Sequence, residues 1–345
     1  MAYTPDIEAV KRLALALDSA DRITVATHTH PDGDALGSSI AMCSYLREVL
    51  HKDAAIVIPD PVTDYLSFIP DEEDRGVIMA YESDPLGAVA RVEGSDLLIG
   101  LDFNGFKRTE GLQDCLSGSR ARKVLIDHHL APEREDFDIC ISETGISSAS
   151  ELLFWILRSL TGDDVSAIPA KARRALMTGM TTDTNNFANS VFPSTLEMAS
   201  LLLAEGVDRD EILENLYQSY RENRLRITGH ILKDKMTILP SGIAYIVLRT
   251  GDLRSYDIGE GELEGVVNLP LGIGRVRMSI MLKQDEEYFR VSIRSKKGTS
   301  ANRLAREHFN GGGHEQAAGG RLYFPKDIPD PSGAEGYIER VTSGF

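Results

Sequence analysis

Short apolar runs alternate with amphipathic stretches over the first half of the chain. The runs are rich in β-branched residues and cover 22–27, 54–58, 96–101 and 123–126. Segments 35–50 and 150–160 have the spacing of amphipathic helices, and 171–180 and 196–204 are also predicted helices, the last with Ser194-Thr195 at its start. Strands that alternate with helices predict a parallel sheet covered by helices on both faces.

The pattern changes after residue 235. Strand-like runs at 236–239, 243–248, 276–282 and 288–295 are separated by Gly, Pro and acidic turns, and Thr299-Ser300 can cap a helix at 301–309. We therefore predict an α/β domain at 1–215, a polar helical connector at 216–234 and a smaller α+β domain at 235–345. A length of 345 residues favours two domains over one.

Composition narrows the functional classes. With 42% hydrophobic and 26% charged residues the chain is typical of a soluble globular protein. Its sequence contains no apolar run long enough to cross a bilayer, and its three cysteines lack CxxC spacing. We therefore expect a protein without a signal peptide in a reducing cytoplasm. A net charge of −16 argues against binding nucleic acid through the overall field. A polyanionic substrate would need a local cationic pocket.

Acidic and imidazole groups follow successive predicted strands. His28, Asp32 and Asp34 follow the first, in a loop bent by a proline and a glycine. Asp102 ends a later strand, the triplet Asp127-His128-His129 ends the next, and Asp183 follows the helix at 171–180. A turn with an aspartate N-cap explains one such carboxylate, but not the second carboxylate or the imidazole. Crowded carboxylates repel one another, and divalent cations relieve that repulsion.

The number of candidate ligands suits two metal ions bridged by a shared carboxylate. Oxygen and nitrogen ligands without thiolate fit Mn²⁺ or a similar ion better than structural zinc. A pair of ions roughly 3.5–4 Å apart is used in phosphoester hydrolysis, and aminopeptidases and other hydrolases use similar pairs. This half of the chain alone leaves the substrate class open.

The second domain carries a cationic strand end and a glycine triplet. Arg294 and Ser295 precede two lysines, and Gly311-Gly312-Gly313 leads into His314. Successive glycine N–H groups can converge on an anion, and a helix starting near His314 would add its positive end. A flexible glycine turn is the structural alternative. Beside the cationic strand end, the triplet favours phosphate binding.

These residues resemble the DHH phosphoesterase family, in particular its nanoRNA-degrading oligoribonucleases that also act as 3′-phosphoadenosine 5′-phosphate phosphatases. The resemblance covers nearly the whole chain. It rests on four ordered motifs and a C-terminal one: His28-x-x-Pro31-Asp32-x-Asp34-Ala35-x-Gly37-Ser38; Asp102 with Arg108; Asp127-His128-His129; Asp183; and Gly311-Gly312-Gly313-His314-x-x-Ala317-Ala318-Gly319.

The resemblance implies a role for each residue. His28, Asp32 and Asp102 would hold one Mn²⁺, and Asp34, Asp102, His128 and Asp183 the other, with Mg²⁺ or Co²⁺ as substitutes. His129 would be a general acid or a donor to the scissile phosphate, with catalytic roles also for Asp102 and for Asp127, which would orient an imidazole. Arg108, Arg294, Ser295, Gly311, Gly312, Gly313 and His314 would bind the substrate, and the active site would lie in the cleft between the domains.

The expected partners are short single-stranded RNA oligonucleotides and nucleotide phosphates, without a membrane; a homodimer is one allowed state. The alternatives are a phosphodiesterase for cyclic dinucleotides or their linear products, and a nucleotide-binding regulator without activity. The second is disfavoured because no ligand of the motif is missing. Class II inorganic pyrophosphatases share the metal ligands but not the Gly-Gly-Gly-His ending, and RecJ-type exonucleases carry further domains.

Overall fold

The computed structural model describes residues 3–259 and 261–345. The chain forms two compact units that divide between Gln218 and Ser219. Of the segment 216–234 that was predicted as a connector, residues 216–217 end a helix of the first unit, and Glu222–His230 forms a helix of the second.

The first unit is built on a six-stranded parallel sheet with the order β3-β2-β1-β4-β5-β6. Its strands are β1 (Arg22–Ala26), β2 (Asp53–Ile58), β3 (Ile78–Ala80), β4 (Leu97–Leu101), β5 (Arg122–Asp127) and β6 (Ile139–Ser142). Its helices are α1 (Ile7–Ser19), α2 (Gly33–Ser44), α3 (Glu72–Arg75), α4 (Pro85–Glu93), α5 (Gln113–Gly118), α6 (Ala149–Leu160), α7 (Ala170–Asp183), α8 (Pro193–Ala204) and α9 (Arg209–Tyr217).

Both faces of this sheet are buried, as the run of apolar residues in β4 requires. Leu97 and Ile99 pack into the large core formed with α1, α2, α6 and α7, whereas Leu98 packs into a second core with α4 and α5. Helices on both faces of a parallel sheet confirm the predicted α/β fold. The strand order reverses direction between β1 and β4, and in such sheets ligands bind where the carboxyl ends of these strands meet.

Two glycines allow α2 and α7 to pack closely. A Cβ atom on Gly37 would lie 2.5 Å from the carbonyl oxygen of Ala175 on α7, and one on Gly179 would lie 3.0 Å from Asp34 Oδ1 at the start of α2. Neither position has room for a larger side chain. This contact fixes the start of α2 near the end of α7, where two of the predicted metal ligands lie.

The second unit has a mixed six-stranded sheet with the order β11-β12-β10-β9-β8-β7, in which only β8 and β9 pair in parallel. Its strands are β7 (Met236–Ile238), β8 (Ile243–Leu248), β9 (Met278–Gln284), β10 (Tyr288–Ser295), β11 (Gly312–Gly313) and β12 (Ala317–Tyr323). Its helices are α10 (Glu222–His230), α11 (Thr250–Ser255), α12 (Ala301–His308) and α13 (Ala334–Thr342). One face packs on α12 and α13, which confirms an α+β unit with its own core.

Two local expectations are wrong and one is confirmed. Helix α8 begins at Pro193, before Ser194-Thr195, because the Thr195 side chain accepts a hydrogen bond from Phe192 N–H (3.0 Å). No helix begins at His314; its backbone N–H donates to Ala317 O (2.8 Å) in the turn between β11 and β12. The predicted cap of α12 is confirmed, since Ser300 Oγ accepts from Arg303 N–H.

Within the described residues, the helices are too short or too polar to cross a membrane.

Candidate metal centre

Five carboxylates and three imidazoles lie together at the carboxyl end of the parallel sheet. They come from the ends of three neighbouring strands and from two helix termini: His28 follows β1, Asp102 follows β4, Asp127 ends β5 and precedes His128 and His129, Asp32 and Asp34 lie at the start of α2, and Asp183 ends α7. The structure therefore brings together all six residues predicted as metal ligands.

Asp102 lies between two groups of ligand atoms. Its Oδ2 is 3.4 Å from His28 Nε2, and its Oδ1 is 3.3 Å from His128 Nε2. Burial alone would raise the pKa of this carboxyl, but the imidazoles of His128 and His28, followed by His129, hold the pKa well below its usual range. Asp102 is therefore a carboxylate whose two oxygens face different partners.

The His28 imidazole has the arrangement of a metal ligand. Nδ1 lies 2.8 Å from the carbonyl oxygen of Thr29, which fixes the proton on that nitrogen. Nε2 is buried and makes no hydrogen bond, although it lies within 4.0 Å of both Asp32 and Asp102. A buried imidazole nitrogen without a hydrogen bond is costly unless a cation occupies the space beside it. The group of His28, Asp32 and Asp102 fits such a cation.

Asp34, His128 and Asp183 form the second group. His128 Nε2 lies 3.6 Å from Asp183 Oδ2 and 3.9 Å from Asp34 Oδ2. Burial, with the nearby charges of Asp102 and Asp183, raises the pKa of Asp34 well above its usual range. Burial lowers the pKa of His128, but Asp102, Asp183 and Asp34 outweigh it and raise that pKa to about 10. Without a metal ion, protons must compensate the negative charge here; the donor set fits a divalent cation that replaces them.

Asp32 is both a candidate ligand and a helix cap. Its Oδ1 accepts hydrogen bonds from Asp34 N–H (3.0 Å) and Ala35 N–H (3.0 Å) at the start of α2. Its side chain is 54% exposed, unlike those of the other candidate ligands of its group. The N-cap predicted as the structural alternative is therefore present together with the ligand cluster.

Asp127, His129 and Arg108 form a chain of contacts beside the cluster. His129 Nδ1 donates to Asp127 Oδ1 (2.7 Å), and Arg108 Nη1 donates to His129 Nε2 (2.8 Å). Burial and the Arg108 charge lower the pKa of His129, so its imidazole is neutral and accepts at Nε2. In this geometry the Nε2 atom of His129 carries no proton that it could donate.

Sequence reasoning missed the groups that hold the ligands. Asp60, which follows β2, accepts hydrogen bonds from Thr29 Oγ1 (2.7 Å) and His30 N–H (2.5 Å) and so fixes the loop that carries His28. The start of α6 donates Ala149 N–H (2.7 Å) and Ser150 N–H (2.9 Å) to the two oxygens of Asp34. The only sequence signal was an aspartate after another predicted strand; the α6 contacts are backbone contacts with no side-chain pattern.

The predicted phosphate-binding residues of the second unit lie around the start of β12. Arg294 pairs with Ala317 across β10 and β12, and Gly312 pairs with Gly319. A Cβ atom on Gly311 would lie 1.9 Å from the carbonyl oxygen of Gly319. Glycine is therefore required here for the chain to approach β12 closely. The Ser295 hydroxyl donates to Thr299 O (2.6 Å) within the following turn.

Comparison with known proteins follows the same division. Residues 22–180 match the family model described as DHH family, N-terminal domain, and residues 242–330 match the DHHA1 domain. The chain is 30% identical to a bifunctional oligoribonuclease and PAP phosphatase NrnA of Thermus thermophilus, over 87% of this chain and 84% of that protein. It is 26% identical to the protein of the same name from Bacillus subtilis, over 88% of this chain and 90% of that protein.

A solved structure extends this likeness to the whole fold. An exopolyphosphatase-related protein from Bacteroides fragilis superposes with a TM-score of 0.89 at 33% identity, covering 99% of this chain and 97% of that one.

Proposed function

The chain belongs to the DHH family and is a phosphoester hydrolase, and from this premise we propose that it degrades short RNA oligonucleotides to mononucleotides and removes the 3′-phosphate of 3′-phosphoadenosine 5′-phosphate. The relatives named as bifunctional oligoribonuclease and PAP phosphatase support this substrate class. The observation that carries the proposal is the position of Asp102 between two groups of ligand atoms.

We assign two Mn²⁺ ions to this centre. His28, Asp32 and Asp102 would hold one, and Asp34, Asp102, His128 and Asp183 the other, with Asp102 as the bridge. The oxygen and nitrogen donors without thiolate support Mn²⁺, with Mg²⁺ or Co²⁺ as substitutes. When bound, such a pair supplies Lewis-acid activation of water and of the phosphate.

Arg108 and His129 are the groups that would meet the scissile phosphate. Arg108 already donates to His129 Nε2, and a phosphate oxygen is a stronger acceptor for a guanidinium than a neutral imidazole. Once Arg108 turns to the phosphate, its charge no longer faces Nε2, and His129 would take up a proton there from solvent water, while Asp127 would continue to accept from Nδ1–H and to stabilise the imidazolium. His129 would then deliver that proton to the leaving oxygen.

In the second unit, we assign phosphate binding to Arg294, Ser295, Gly311, Gly312, Gly313 and His314. The support is their proximity around the start of β12 and the cationic character of the end of β10. The chain has a net charge of −16, so a local cationic site is needed for a polyanion.

A substrate panel tests the proposal. With Mn²⁺, purified protein is expected to release AMP from pApA and phosphate from 3′-phosphoadenosine 5′-phosphate, and to cleave cyclic di-AMP much more slowly. Asp102→Asn removes one ligand charge and is expected to lower the rate by more than about 100-fold, since even groups that only orient ligands are worth 10–100-fold.

The matched control is Asp114→Asn, which changes an exposed aspartate on α5 and should leave the rate unchanged. Metal-loaded protein that leaves pApA and 3′-phosphoadenosine 5′-phosphate intact, or an Asp102→Asn variant with the parent rate, contradicts the proposal. Faster cleavage of cyclic di-AMP than of pApA would show that cyclic dinucleotides are the preferred substrates.

A further inference from the structure

Glu151 is a buried carboxylate that the proposed reaction does not use. It lies in the first turn of α6 and is 0% exposed. Its Oε2 accepts hydrogen bonds from Ser147 N–H (3.0 Å), from the Ser147 hydroxyl and from Thr195 Oγ1 (2.7 Å), while Oε1 faces Trp155 Nε1 (3.4 Å). All these partners are neutral hydrogen-bond donors, and the side chain also lies at the positive end of the α6 dipole.

These contacts exceed what helix capping requires. Ser148 is the N-cap of α6, and its Oγ accepts from Glu151 N–H (3.0 Å). In an ordinary capping box the Glu side chain would reach back to the N–H of the cap residue itself and remain near solvent. Here it bonds to the residue before the cap and also to Thr195 on α8. Glu151 thereby ties the entry of α6 to a second helix.

The braced segment is the one that holds Asp34. Immediately after Ser147 and Ser148, Ala149 N–H donates to Asp34 Oδ2 and Ser150 N–H donates to Asp34 Oδ1. The two bonds fix the plane of a carboxylate that is 1% exposed and whose Oδ2 lies 3.9 Å from His128 Nε2. A shift of the α6 entry would therefore rotate or displace Asp34 directly.

We propose that Glu151 is a positioning residue of the metal centre: by holding Ser147 and Thr195 it fixes the α6 N–H groups that orient Asp34 for a metal ion. This inference rests on the proposed function for the identity of the metal and on the hydrogen-bond geometry for the role of Glu151. Groups that orient metal ligands typically contribute 10–100-fold to metal affinity.

The test is the Mn²⁺ affinity of metal-free full-length protein, measured by electron paramagnetic resonance of free Mn²⁺. Glu151→Met keeps the side-chain length but removes every acceptor, and is expected to weaken binding at the site that contains Asp34 by about 10–100-fold. Glu151→Gln can place its amide oxygen where Oε2 lies, and is expected to retain affinity within about threefold because the bonds to Ser147 and Thr195 persist. The same change at a half-exposed position of α8, Glu197→Met, is the matched control and should leave affinity unchanged.

Three results would overturn the proposal. One is a folded Glu151→Met variant that binds Mn²⁺ as tightly as the parent protein. If only its melting temperature falls, the role of Glu151 is purely structural. Another is an equal loss of Mn²⁺ affinity in Glu151→Gln and Glu151→Met. That result would show that the charge of the side chain matters, and not its hydrogen bonds to Ser147 and Thr195. If Glu151→Met does not fold, Ser147→Ala decides: it removes one donor and should weaken Mn²⁺ binding severalfold, and unchanged affinity contradicts the inference.

Hydrolysis of pApA is measured separately. Parent protein that binds Mn²⁺ but leaves pApA intact contradicts the proposed function and leaves the Glu151 result standing on the binding data.

Discussion

At the scale of single residues, Asp102 combines backbone strain with a central place in the site. Its φ is 60°, a left-handed conformation that costs a non-glycine residue about 1–3 kcal/mol. Its N–H donates to Ile126 O of β5 (3.2 Å), which pins the backbone while the side chain faces His28 and His128. Asparagine tolerates the same conformation, so Asp102→Asn changes the charge of the residue and leaves its backbone preference intact.

Metal binding is expected to release protons. In the metal-free protein the pKa of His128 is raised to about 10, so its imidazole is protonated at pH 7. A ligating imidazole must be neutral, and Mn²⁺ must therefore displace at least one proton. Because protons compete with the metal, the apparent affinity for Mn²⁺ rises with pH between 6 and 8, by about tenfold per pH unit for each proton released.

Calorimetric titration of metal-free protein with Mn²⁺, in buffers of different ionisation enthalpy, measures this release. A matched histidine change in the second unit, His308→Gln, should leave the number of protons unchanged. Binding without proton release, or an affinity independent of pH over this range, would show that His128 is neutral before the metal binds.

At the scale of elements, the contact of α2 with α7 brings together the two proposed ligands that these helices carry. Asp34 lies at the start of α2 and Asp183 at the end of α7, and the helices approach at Gly37 and Gly179. The obstacle to a side chain at Gly37 is the backbone carbonyl of Ala175, which cannot move without displacing α7.

Gly37→Ala is therefore expected to destabilise the first unit by about 1–3 kcal/mol, the usual cost of overpacking, and to weaken Mn²⁺ binding because Asp34 moves away from Asp183. Thermal unfolding followed by circular dichroism, with and without Mn²⁺, measures both effects. Gly336→Ala is the control, because Gly336 lies in the first turn of α13 and a Cβ atom there has no neighbour within 4 Å. It should leave the stability unchanged or slightly higher, because alanine favours a helix more than glycine does. A Gly37→Ala variant as stable as the parent would contradict the close contact.

The same scale shows what an element pattern can predict. The apolar runs of β1, β4 and β5 reveal strands buried on both faces, and the polar residues that follow each run had to meet at one edge of a parallel sheet. The Gly311–Gly313 triplet was misread as leading into a helix, because glycines suit both an anion-binding loop and a close strand pair. In the structure the triplet pairs closely with Gly319 on β12. The sequence pattern of the triplet alone does not reveal this partner.

At the scale of the whole molecule, the two units have separate cores, and the proposed metal ligands all belong to the first. That these carboxylates and imidazoles lie together was predictable, because each is a chemically distinctive side chain at the end of a regular element. Asp60 and Glu151 were not, because their roles depend on contacts with loops and helices distant in sequence. One aspartate or glutamate in an acidic chain carries no signal of its own.

Because the proposed ligands are confined to one unit, Mn²⁺ is expected to stabilise that unit selectively. At a concentration 100 times the dissociation constant, a ligand that binds only the folded state adds about 2.7 kcal/mol. Hydrogen exchange of the full chain with Mn²⁺ or with chelator locates the effect: exchange should slow in β1, β4 and β5 and at the start of α6, and remain unchanged in β9 and β10. Helix α6 contacts Asp34 through the N–H groups of Ala149 and Ser150. Slower exchange at these two amides would show that the metal also stabilises the groups that orient Asp34. Equal slowing in β9 and β10 would place metal binding, or its energetic consequence, outside the first unit and contradict the ligand assignment.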